Sequence, residues 1–132
     1  MRTLLALAFV ALTAACGGGS DEAADPPQLR QGSVQVMSSE RVLVDITVSA
    51  PIKLGKNELA VDFPSRPNTE LYGVSALMPA HGHGSPAPTI ERTDEGFLVH
   101  DVVLYMSGRW ELHFQIRVDG RDDEAVVVVD VP

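Results

Sequence analysis

Trp110-Glu111-Leu112-His113-Phe114-Gln115-Ile116-Arg117-Val118 alternates large apolar with polar side chains across nine residues. A period of two is that of a β-strand with one face in a core and the other in water. Asp119-Gly120 follows at once and leads into the second apolar run Ala125–Val131. Asp-Gly between two such runs is a strong signal for a two-residue hairpin, because both positions tolerate positive φ. Working back along the chain, the same alternation returns in Val42–Val48 and in Glu58–Phe63. Further strands are predicted at Val34–Met37, Glu70–Met78, Thr89–Arg92 and Phe97–Tyr105. Turn residues separate these runs: Ser38-Ser39, Leu54-Gly55-Lys56-Asn57, Pro64-Ser65-Arg66-Pro67-Asn68, Asp94-Glu95-Gly96 and Ser107-Gly108. No stretch carries a helical period. The expectation is an all-β, antiparallel sandwich of about seven to eight strands, with Trp110, Leu112, Phe114 and Ile116 on the core face.

The first residues read differently. Arg2, the apolar stretch Leu4–Leu12 and the small residues Thr13-Ala14-Ala15 have the order of an export signal over residues 1–15. The apolar stretch is too short for a membrane-spanning helix, which needs about 20 residues. Cys16 is the chain's one cysteine, so no disulfide forms within the chain. Leu12-Thr13-Ala14-Ala15-Cys16 resembles the lipobox of bacterial lipoproteins, with Thr13 where a branched aliphatic residue is usual. The resemblance implies a lipidated Cys16 at the mature N-terminus; an ordinary secretory signal followed by a free thiol is the other reading. Gly17 in place of an inner-membrane-retaining Asp favours the outer membrane. Residues 16–32, with Gly17-Gly18-Gly19-Ser20 and Pro26-Pro27, have the composition of a flexible tether. The folded domain is expected over residues 33–132.

Charge removes one class of partner. The chain carries −8, and loss of Arg2 with the signal leaves the mature protein at −9. Its basic residues are scattered and form no phosphate-binding stripe, so nucleic acid is not an expected partner. Membrane contact is left to the lipid anchor.

One segment breaks the strand pattern: Met78-Pro79-Ala80-His81-Gly82-His83-Gly84-Ser85-Pro86. Its plain reading is a flexible connection between strands. Its chemical reading is a metal site, since it holds two of the four histidines in the chain beside a methionine. Thioether sulfur prefers Cu(I), imidazole serves Cu(I), Cu(II) or Zn(II), and the segment lacks the carboxylates that hard cations need. Glycines beside the histidines let the backbone turn both rings toward one point. Met106 ends another strand, and sandwich loops cluster at the two ends of the fold. It reads equally well as a further ligand or as packing beside Trp110. His113 is expected to be a solvated surface residue, His100 a satisfied, partly buried one, and Met37 a core residue.

The stretch Met78–Gly84, Gly96-Phe97 and Val103–Leu112, with the earlier Leu54-Gly55-Lys56-Asn57-Glu58-Leu59, resembles the YtkA-like domain in that order. The resemblance covers roughly residues 33–130. It implies an exported, often lipid-anchored immunoglobulin-like β-sandwich, with some members implicated in delivering copper to respiratory oxidases. Carried over residue by residue, it implies metal ligands at Met78, His81, His83 and Met106.

Enzymatic function is not expected: no Ser/His/Asp order stands out, and no glycine-rich phosphate loop follows a strand. Two readings stand. One is an extracytoplasmic, periplasm-facing lipoprotein that binds copper, Cu(I) above all, as a chaperone or buffer in contact with a copper-donating or copper-accepting membrane protein. The other is a metal-free sandwich that docks a membrane-protein partner.

Overall fold

The computed structural model describes residues 24–132; the signal stretch and Cys16 lie outside them. The described chain is all β, in nine strands: β1 (Gly32–Met37), β2 (Leu43–Val48), β3 (Gly55–Asp62), β4 (Glu70–Met78), β5 (His83–Gly84), β6 (Thr89–Thr93), β7 (Gly96–Leu104), β8 (Gly108–Val118) and β9 (Arg121–Val131). They form two antiparallel sheets, β1-β2-β3-β7-β6 and β5-β4-β8-β9. Apart from the edge strands β1 and β5, this is the order of an immunoglobulin-type sandwich. A-B-E-D corresponds to β2-β3-β7-β6, and C-F-G to β4-β8-β9.

The alternation read in the sequence is the alternation of burial. Trp110, Phe114 and Ile116 are fully buried and Leu112 nearly so, facing Val44, Ile46, Val61 and Val99 from the other sheet. The Asp119-Gly120 hairpin forms as expected, with φ of 50° and 75° at the two turn residues and Val118 opposite Arg121. Positive φ at both positions marks the type I′ turn that matches strand twist.

Three details differ from the expectation. β5 is a ninth strand, folded from within the segment that breaks the pattern; two residues carry no alternation to read. Met37 points outward and is 54 % exposed, because Val36 takes the inward position at the end of β1. Part of the stretch read as tether belongs to the fold. Leu29 is 1 % exposed, and Pro27 and Leu29 bond to both sides of Val128, with Leu29 N–H donating at 2.7 Å and Pro27 C=O accepting at 3.0 Å. Gln28 thereby pairs with β9 in parallel and covers part of that sheet edge.

Register fixes which connections share an end. Gly55 pairs with Leu104, Gly108 with Val131, and Met78 with His83. The connections after β2, β4 and β7 and the end of β9 therefore meet at one pole of the sandwich.

Candidate functional site

At this pole β4 ends on Met78, and the chain reverses through Pro79-Ala80-His81-Gly82. His81 N–H donates to Met78 C=O at 3.1 Å and Gly82 N–H to Pro79 C=O at 3.3 Å. Gly82 has φ of 63°, the left-handed conformation a reversal of this kind requires. The returning strand pairs Met78 with His83 and Leu77 with Gly84. Directly opposed residues of an antiparallel pair point to the same face of the sheet. Met78 and His83 therefore share the core side, with Met78 inside at 2 % exposure and His83 exposed on the edge strand. The loop is tied down again by Ser85, whose N–H donates to Ala76 C=O at 3.0 Å and whose hydroxyl donates to Val103 C=O on the facing sheet.

The His81 and His83 rings lie 6.2 Å apart between centres and 14° from parallel. Two imidazole nitrogens at opposite sides of one ion, each about 2 Å from it, span roughly 6 Å between ring centres. That arrangement has the rings edge to edge, so the stacked His81 and His83 rings would have to turn about their side-chain bonds to share an ion.

Met106 lies between β7 and β8, half-buried and packed against the core. Its carbonyl accepts a hydrogen bond from the Trp110 indole N–H at 2.9 Å. The Met78 side chain reaches toward the same connection: its terminal methyl lies 3.2 Å from the place a Cβ on Gly108 would occupy. The fold thus gathers the four residues singled out in the sequence at one pole. It presents them unequally, with two imidazoles at the surface, one thioether half-covered and one in the core.

The chain matches no family model, no curated protein and no solved structure.

Among the described residues, no group of three or more His, Cys, Asp or Glu side chains is placed to hold a metal ion. A metal at the β4–β5 pole would need methionine sulfur in addition to the two imidazoles. The remaining histidines are engaged with carboxylates. His100 Nδ1 lies 2.8 Å from Glu58 Oε2, and Nε2 lies 2.8 Å from Glu91 Oε2. A neutral ring has one N–H to donate, so the two carboxylates together favour the imidazolium. The hydrogen bond to Glu91, then that to Glu58, raises the His100 pKa above its ordinary value. His113, expected to be solvated, faces outward, yet its side chain is only 19 % exposed. Glu124 lies 3.0 Å from its Nδ1 and Glu111 3.2 Å from its Nε2.

The sequence contained a signal for one of these clamps. Glu111 and His113 are two apart on a strand and therefore share a face. The His100 clamp was hidden by a bulge. Asn57 pairs with Val102 and Leu59 with Val99, so Glu58 opposes both His100 and Asp101, and Asp101 adopts φ of 61°.

Proposed function

We propose that this domain binds Cu(I) at the pole formed by the β4–β5 turn and the β7–β8 connection. His81 and His83 would supply neutral nitrogen, and Met106 and Met78 thioether sulfur. The observation that carries the reading is the pairing of Met78 with His83 beside a second, stacked histidine. Mixed soft sulfur and imidazole, without a carboxylate in the loop, suits Cu(I) and suits hard cations poorly. When bound, the metal would supply a transferable soft ion; the chain's part is to hold and release it. The resemblance to the YtkA-like domain supports the same reading and extends it to an exported protein, lipid-anchored at Cys16 and facing the periplasm from the outer membrane. In that setting it acts as a copper chaperone or buffer that exchanges copper with a membrane protein, with respiratory oxidase assembly as the destination. It is a binding protein and not an enzyme.

A metal-free docking module is the second reading. Leu54, Leu77 and Tyr105 are exposed apolar side chains at or near the same pole, and Met78 already serves the core. Anaerobic Cu(I) titration of the mature protein against a competing chelator separates the two. One tightly bound Cu(I) per chain, weakened by His81→Ala and by His83→Ala, supports the copper reading. No binding at micromolar copper overturns it in favour of docking.

A further inference from the structure

We infer that Trp110 is the positioning residue for Met106, so that the buried indole sets how the half-buried thioether is presented. This rests on the copper reading above. The connection Tyr105–Ser107 lies between two strands and outside both ladders. Each of its residues has one tie instead. The Tyr105 ring meets the Trp110 ring edge-on, 5.2 Å between centres at 79°. Met106 C=O accepts the indole N–H at 2.9 Å. The Ser107 hydroxyl donates to Pro132 C=O at 2.8 Å.

Two of the three ties end on Trp110, which is fully buried and sits on β8 opposite Val129. A buried indole N–H left without a partner is costly, so the bond to Met106 is held by the packing of the whole ring. The bond to the main-chain carbonyl holds the backbone from which the Met106 thioether departs, one step further from a metal than the bonds to ligand side chains whose loss commonly costs 10–100-fold in affinity.

The chain has a single tryptophan, so its indole N–H gives one unambiguous NMR resonance. In the full mature protein this proton should exchange slowly with solvent and shift as Cu(I) is added. Met106→Leu keeps the backbone carbonyl. It should therefore leave the metal-free indole resonance in place and abolish its copper-induced shift. Trp110→Phe, which keeps an aromatic ring and removes the donor, should broaden the Met106 methyl resonance and weaken Cu(I) about tenfold. Wild-type affinity with an unaltered Met106 methyl signal in Trp110→Phe overturns the inference, as does copper binding that leaves the indole resonance unmoved. Should Trp110→Phe fail to fold, the Met106→Leu titration decides alone. If the wild type takes no Cu(I), the copper reading fails, and the Met106 methyl signal of metal-free Trp110→Phe still decides: broadening supports the positioning role and no change overturns it.

Discussion

Met78 stands directly opposite His83 across the β4–β5 ladder, so a core thioether and a surface imidazole share one face of one sheet. Through this pair, chemistry at the solvent edge is continuous with the hydrophobic interior. Imidazole must be neutral to bind a metal, whereas a thioether does not titrate. Cu(I) affinity should therefore fall on acidification and level off at a weaker, sulfur-held value. Chelator competition at pH 5 and pH 7.5 checks this. His81→Ala or His83→Ala should flatten the difference between the two pH values.

The two methionines should part company under mutation. Met106→Leu is nearly volume-conserving at a half-buried position and should change stability by less than about 1.5 kcal/mol while weakening Cu(I). Met78→Ala empties a core position and should cost about 2–5 kcal/mol by urea unfolding. A larger loss of stability in the Met106→Leu protein with Cu(I) affinity intact would assign that side chain to packing alone.

Phe114 is fully buried at the centre of β8, opposite Ala125 on β9 and Val74 on β4. Phe114→Ala should lower stability by about 3–5 kcal/mol, a large share of what a small domain has. Chemical denaturation of the metal-free protein measures it directly.

Two turn glycines should respond differently to alanine. At Gly96, with φ of 141°, an added Cβ would sit 2.3 Å from the Val61 carbonyl oxygen, so the β3–β7 ladder must shift. At Gly120, with φ of 75°, an added Cβ meets nothing within 4 Å. Gly120→Ala should cost about 1–2 kcal/mol, the left-handed penalty alone, and Gly96→Ala clearly more. Equal losses in thermal unfolding would remove the clash at Gly96 from the explanation.

His100 gives a pH dependence of stability with a defined sign. The Glu91 and Glu58 carboxylates raise its pKa in the folded state above the ordinary 6.5. The same outer face carries the Lys56–Asp101 ion pair beside it. A raised histidine stabilises the fold fully below about pH 6.5 and ceases to do so as pH climbs through the folded value. Wild type should thus lose stability between pH 6 and pH 8.5 relative to His100→Gln, with both compared by denaturant titration. Parallel pH profiles would show that the clamp holds no extra proton.

Much of this architecture was legible because strands write their period into the chain. Trp110 to Ile116 could be assigned to the core and Asp119-Gly120 to a hairpin without a structure, and the fold agrees. What stayed hidden depended on partners distant in sequence or on elements too short to have a period. β5 has two residues, and its existence follows from where Met78 ends, a tertiary fact. Met37 looks apolar enough for a core, and only the phase of β1 against β2 turns it outward. The gathering of Met78, His81, His83 and Met106 at one pole was foreseeable from the clustering of sandwich loops. The depth of each was not, because burial of Met78 is set by β8 and by the missing side chain at Gly108.

The parallel docking of residues 27–29 on β9 also has a mechanical side. Beyond Val128, β9 runs toward the pole that carries His81 and His83, and the docked segment runs the same way. Pro27 is therefore the end of the docked segment that lies toward the opposite pole. Tension applied at Pro27 along the strand axis would load the two backbone bonds to Val128 together, in shear, instead of opening them one after the other. Such a pull would be resisted at this point, before it reached the strands that carry the His81/His83 turn.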